Sequence, residues 1–203
     1  MYVSPFTLKE QKRIFSNIKD KMFFSPLPYM KRKIYPKSKN DKIKLGYFGN
    51  YNKSIRNILP LYNAIKNNSK YHLIIAGDSD YNLENTSNIE IFPRLSRKKT
   101  DELEKSCDVL VALTNNKGYQ IPAKINYYSG TNKKILIIID NNYEDFSKYF
   151  SKFNRFFISK NSEKDIIQVL ESMDNKNIRS LPLEEFSSEY VTSKIVKIIN
   201  GSE

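Results

Sequence analysis

Three loops of the sequence carry side chains able to hold an anion, and each follows an apolar run that reads as a strand. In GYFGNYNKSIRN, Gly49 admits close approach of a ligand to the backbone, Asn50 offers an amide, and Arg56 presents a planar fork of donors suited to a phosphate. The competing reading of that stretch is a simple turn with a solvated arginine. In FPRLSRKK, Arg94, Arg97, Lys98 and Lys99 crowd the end of a short apolar run. They suit either a base or phosphate lying there or a solvated helix start. In TNNKGYQIPAKINYYSG, Gly118 and Tyr119 turn, Pro122 fits the first position of a helix, and the first helical turn holds Lys124. A diphosphate at that point would meet both an ammonium and the positive end of the helix dipole. A fourth loop, AGDSD, sets Asp78 and Asp80 close together. Paired carboxylates permit acid–base chemistry, but a polar turn is the better account of them.

The elements that must position these loops follow one rhythm from Lys42 to Leu136: apolar strand, turn, amphipathic helix, apolar strand. That rhythm predicts a parallel sheet. Strands are expected at Ile43 to Phe48, Tyr71 to Gly77, Ile89 to Phe92, Asp108 to Leu113 and Lys134 to Asp140, with a further one at Arg155 to Ile158. Several are apolar on successive residues, as strands covered on both faces are. Ser54 to Asn67 repeats apolar residues at helical spacing, and Pro60 moves the start of that helix to near Leu59. Further helices are expected at Arg97 to Ser106, Pro122 to Gly130, Glu163 to Met173 and Phe186 to Asn200. The aromatic-rich YEDFSKYFSKFNRFF is left without an element. The fold class expected is α/β: a Rossmann-like, doubly wound, mostly parallel sheet with helices on both faces, and its ligands would sit beyond the carboxyl ends of the strands.

The first forty-one residues differ in character. They read as a helix at Leu8 to Asp20, a short strand KMFF, and a basic connector containing Pro26, Pro28 and Pro36, leading into a domain that runs from 42 to 203. Lys and Arg outnumber Asp and Glu by 34 to 22, a net charge of +12. Compositional bias toward Lys, Asn and Ile is one explanation of that excess, and attraction to phosphates or an anionic surface is the other. The excess is uneven and concentrated between Lys9 and Lys44, where a basic surface could meet an anionic membrane. Nucleic acid is not an expected partner, since the aromatic residues fall in strands and helix stripes and no nucleic-acid motif is present. Cys107 is the single cysteine and His72 the single histidine, which excludes an internal disulfide framework and makes metal or Cys–His chemistry improbable. The amino-terminal stretch lacks a signal-peptide core and no apolar run is long enough to span a bilayer, so cytoplasmic residence is the default expectation, with peripheral attachment to the inner face of the membrane.

Taken in order, KIKLGYFGNYNKSIRN, YHLIIAGD, IEIFP before RLSRKKTDELEKSCDVLVALTNN, and QIPAKINYYSGTNKKIL resemble the carboxyl-terminal, nucleotide-sugar-binding domain of the group 1, GT-B type glycosyltransferases. The resemblance spans about Ile43 to Ile138. It implies a nucleotide-sugar donor as substrate, no cofactor and no metal, and an acceptor held by a separate amino-terminal domain. It puts Gly49 and Asn50 in the glycine-rich donor loop, Arg56 and Lys124 at the diphosphate as its stabilising residues, and Arg94 and Leu95 beside the base. It counts Tyr119, Gln120 and Tyr127 among the donor-binding residues.

Two departures from the family pattern bear on function. Where the family commonly carries two glutamates, near the donor sugar and the ribose, this chain has Tyr119 and Tyr127. A phenol accepts a hydrogen bond but supplies no carboxylate, and losing a charged acceptor weakens binding by ~1.5–3 kcal/mol. The second departure is length: 203 residues supply one domain of the expected two. The opening residues resemble the end of an acceptor domain, so the chain is expected to be part of a two-domain enzyme making cell-surface polysaccharide or a lipid-linked glycan. The alternative is a degenerate, non-catalytic subunit that needs a partner chain.

Overall fold

The structure, a computed structural model, describes residues 1–37, 40–173, 178 and 180–201. Of the basic residues expected to form a surface, Lys39 lies outside them. Six strands, β1 (Ile43–Phe48), β2 (Tyr71–Ala76), β3 (Ile89–Phe92), β4 (Val109–Leu113), β5 (Lys134–Ile139) and β6 (Phe157–Lys160), form one sheet in the order β3-β2-β1-β4-β5-β6. Every pairing is parallel, with Leu45 opposite both Leu73 and Val109, and Leu136 opposite Phe157. The order reverses between β1 and β4, which opens a crevice at their carboxyl ends.

Continuous apolar strands are what a two-sided sheet requires, and successive side chains go to opposite cores. Leu45, Tyr47, Val109, Val111, Leu136 and Ile138 point into one. Phe48, Leu110, Ala112, Ile135, Ile137 and Ile139 point into the other. The first is covered by α2 (Leu59–Lys66) and α6 (Glu163–Ser172), through Leu61, Ile65, Ile166 and Leu170. The second is covered by α3 (Arg97–Ser106), α4 (Ala123–Ser129) and α5 (Tyr143–Ser151). Cys107 is fully buried in this second core, where desolvation pushes its thiol up to about 12. This is the thiol of a packing residue, not of a nucleophile.

The helix α2 starts at Leu59 with Pro60 in its first turn, where the missing N–H costs nothing. Four expectations need correction. The segment after Asp140 is a helix, α5, whose Phe146 and Phe150 are buried four residues apart on one face. Its aromatic density conceals the helical stripe. The last strand begins at Phe157, later than Arg155, because Arg155 is fully buried and donates to the carbonyls of Thr131 and Lys133 at 2.8 Å each. The first helix, α1 (Pro5–Ile14), begins under a Ser4 cap, and a separate 3-10 turn covers Ser16–Lys21. The stretch KMFF is not a strand; Phe24 makes a single parallel bridge to Tyr2.

The connector from Tyr29 to Tyr35 lies along the sheet domain. Tyr29 N–H donates to the Phe186 carbonyl at 2.9 Å, Lys33 N–H to the Gly130 carbonyl at 2.8 Å, and Tyr35 exchanges two bonds with the Asn132 side chain. Gly130 is needed there, since a Cβ would fall 2.6 Å from the Tyr29 ring. Helix α7 (Ser188–Ile199) closes the chain with only Val191 buried. Among the described residues no helix is long and apolar enough to cross a membrane.

Candidate functional site

The loops after β1 and β2 are fastened backbone to backbone, and this shapes the floor of the site. Gly49 N–H donates to the Ala76 carbonyl at 2.8 Å and Tyr51 N–H to the Asp78 carbonyl at 3.1 Å. A Cβ on Gly77 would sit 2.1 Å from the Gly49 carbonyl oxygen, so no other residue permits this approach. Asn50 is pinned twice: its side-chain oxygen accepts from Asp78 N–H at 3.2 Å, and its carbonyl accepts from the Tyr47 hydroxyl at 2.9 Å. Asp80 accepts from Lys53 N–H at 3.0 Å and Asp78 lies 3.8 Å from Arg94. The Asp80 carboxylate thus ties the two loops together, while that of Asp78 meets Arg94.

Above this floor is a cavity of about 350 Å³, lined by Gly49, Asn50, Arg56, Arg94, Leu95 and Lys124 together with Phe48, Ala76, Gly77 and Thr100. Larger hollows lie elsewhere: about 500 Å³ at the amino ends of the strands and about 580 Å³ between α1 and α5. Only the smaller one sits where the strand-end loops converge, which is where a parallel sheet exposes backbone donors.

Arg56 is held by an arm-lock. Residues 52 and 56 exchange backbone bonds at 3.1 Å, and Asn116 N–H donates to the Ile55 carbonyl at 2.7 Å. The Arg56 Nε donates to Asn115 Oδ1 at 2.9 Å, and Asn115 Nδ2 donates to Gln120 Oε1 at 3.2 Å. Arg56 lines the cavity and its guanidinium acts on the Tyr47 phenol, which burial raises to about 12. Lys124 comes from a different element, on the first turn of α4. Its ammonium is 3.4 Å from Oε1 of Glu104, a fully buried carboxylate on α3. Burial lowers the Lys124 pKa and raises that of Glu104, while each charge counteracts the shift of the other.

The other expected donor-binding residues are placed apart from this cavity. Gln120 acts on it at one remove, through Asn115 and Arg56. Tyr119 stacks on Phe6 with ring centroids 5.5 Å apart, donates its hydroxyl to Asp145 at 3.1 Å, and lines the hollow between α1 and α5. Tyr127 faces a cationic cluster: its hydroxyl accepts from Arg97 and Lys33 and donates to Asp101 at 3.3 Å, with the Arg97 guanidinium 4.5 Å over its ring. One proton and two lone pairs are then all in use. A ribose hydroxyl could reach that phenol only by displacing one of the three.

Asn115, Glu104, Thr100 and Tyr47 escaped the sequence reading. Glu104 had a signal, since it falls on the same helical stripe as Thr100 and Cys107, but an acidic residue among Asp101, Glu102 and Glu104 gives no sign of turning inward.

The sheet order and the all-parallel pairing define a Rossmann-like α/β fold, with a cavity at the switch between β1 and β4. HepE of Anabaena, solved with UDP and glucose, matches over 98% of this chain and 53% of its own, at 9% identity and a TM-score of 0.58. The sucrose-phosphate synthase of Thermosynechococcus elongatus matches over 96% of this chain and 56% of its own, at 9% identity and a TM-score of 0.64. HepE with UDP-glucose aligns with a TM-score of 0.57 at 8% identity. The chain therefore spans about half the length of these solved structures, and it shares their fold. Neither a protein-family model nor a curated protein matches the sequence.

Proposed function

We propose that the chain is the nucleotide-sugar-binding half of a glycosyltransferase, acting with an acceptor-binding domain to pass a sugar to a cell-surface polysaccharide or lipid-linked acceptor. The observation that carries this reading is that Arg56, from the loop after β1, and Lys124, from α4, line one cavity together with Gly49 and Gly77. The solved neighbour with UDP and glucose supports it. During transfer the bond between the sugar carbon and the diphosphate oxygen breaks and its electrons pass to the diphosphate. An acceptor hydroxyl bonds to that carbon and gives up its proton. Arg56 and Lys124 would neutralise the charge that builds on the leaving diphosphate, so that neither metal nor cofactor is required. Arg94 and Leu95, which line the same cavity, would lie beside the base.

A second reading, a partner-dependent subunit with no activity of its own, is favoured by the saturated hydroxyl of Tyr127. Calorimetric titration with UDP, GDP, ADP and CMP and their common sugars separates the two. Saturable binding that is lost in Arg56→Ala and Lys124→Ala supports the donor site, and a flat response from folded protein refutes it. We further propose that the protein resides in the cytoplasm and that its basic amino-terminal face attaches to an anionic membrane. Ile14, Phe15 and Ile18 are exposed there among Lys12, Arg13, Lys19 and Lys21. Vesicle binding that ignores anionic lipid content and salt would refute that attachment.

A further inference from the structure

Glu104 is fully buried, whereas Asp101 and Glu102 of the same helix remain in contact with water. Burying a carboxylate is costly unless a cation meets it. The cation here is Lys124, which keeps 35% of its side chain exposed and lines the donor cavity. Only Oε1 of Glu104 is engaged. Oε2 is buried and has no hydrogen-bond partner among the described residues. A carboxylate serving only the interior would be expected to satisfy both oxygens. This one is committed to a lysine at the cavity wall.

We propose that Glu104 is a positioning residue whose buried carboxylate holds the Lys124 ammonium, charged and in place, at the wall of the cavity, where an arriving diphosphate shares it. The diphosphate rests on the donor-site reading above; the hold on Lys124 does not. Other charges surround the pair. Arg97 and Asp101 of α3 act on Lys124, and the rings of Tyr127 and Tyr128 stand 5.8 and 5.5 Å from its nitrogen. Lys33 of the connector and Asp101 act on Glu104, and the buried phenol of Tyr128 feels it in turn. Burial favours the neutral amine of Lys124, and the Glu104 charge is the largest influence opposing it. Removing that charge increases the fraction of free amine, which is the form that reacts with an acylating reagent.

The test is trace acetylation of the whole chain with acetic anhydride, following Lys124 by mass spectrometry against the exposed Lys148 and Lys164. At about pH 8, Glu104→Gln is expected to speed acetylation of Lys124 by about threefold or more with the two references unchanged. The difference should close as pH falls and the wild-type carboxylate takes up its proton, a dependence that lost packing would not produce. Should Glu104→Gln fail to fold, the wild-type curve decides: the rate at Lys124 should climb less steeply than at Lys164 where Glu104 ionises. Equal rates in variant and wild type, or parallel wild-type curves, overturn the proposal. UDP is then added to wild type. Slower labelling of Lys124 supports the shared diphosphate; a confirmed Glu104 effect without UDP protection leaves the positioning role standing and refutes the donor reading alone.

Discussion

Removing the tether of Arg56 should weaken nucleotide binding less than removing Arg56 itself, and the structure sets the ratio. Arg56 commits Nε to Asn115 at 2.9 Å and lines the cavity beside Tyr47, so that a phosphate there would be met by its terminal nitrogens. Arg56→Ala would lose one or two charge-assisted bonds. A cavity open to water discounts the full value, so about 2 kcal/mol is expected, or roughly thirtyfold in Kd. Asn115→Ala keeps the guanidinium but frees it, and immobilising a released arginine on binding costs about 0.5–1.5 kcal/mol, roughly two- to tenfold. Arg56→Lys keeps charge without the fork and should fall between them. The assay is calorimetric titration of UDP or whichever nucleotide binds wild type, with circular dichroism to verify folding. Arg56→Ala within about twofold of wild type would remove Arg56 from the anion site. Asn115→Ala equal to wild type would refute the arm-lock, and a loss equal to that of Arg56→Ala would make Asn115 a direct contact.

Gly77→Ala should force apart the two loops under the cavity, because its Cβ would meet the Gly49 carbonyl at 2.1 Å. A cost of about 2 kcal/mol or more and a fall of roughly 4–8 °C in Tm are expected, together with lost nucleotide binding; unchanged melting would refute the contact. Cys107, with its thiol raised to about 12, carries roughly one part in ten thousand of thiolate at about pH 8. Ellman's reagent should therefore reach it only on global unfolding, and prompt colour from native protein would contradict its burial. Gly130→Ala should dislodge Tyr29, and hydrogen exchange at the amides of Tyr29 and Lys33 should accelerate while β1 and β4 stay protected; uniform exchange throughout would point to general destabilisation instead. Phe146→Ala removes a fully packed ring of α5 and should cost about 3–5 kcal/mol, measured by denaturant melting.

The strands were legible because burial on both faces leaves a distinctive residue pattern. IKLGYF, YHLIIA, VLVAL and KILIII can form few other structures, and β1 and β3 have the ends that pattern predicts. Helix α3 was equally plain, since its boundaries, Arg97–Ser106, are the ones expected, and the structure adds a Ser96 cap. Segment α5 was not, because nearly every turn of YEDFSKYFSKF offers an aromatic residue and the composition hides which face is buried. The start of β6 was displaced by Arg155, which looks like a surface residue in the sequence yet binds two carbonyls in the interior.

The candidate site divides along a similar line. By itself the sequence determined the α/β class, the strand-end loops and the candidates Gly49, Asn50, Arg56, Arg94 and Lys124, because glycines after strands and basic residues near helix starts carry their chemistry locally; Leu95 was a candidate only through the family resemblance. Tertiary structure decided which side chains share a cavity. Tyr119 turned to Phe6 of a distant helix, and Tyr127 was taken up by Lys33, Arg97 and Asp101. Glu104 was drawn inward to meet Lys124 across two helices. Side-chain hydrogen bonds reach only about 3 Å, and residues twenty or a hundred positions apart come within that distance only once the sheet is built.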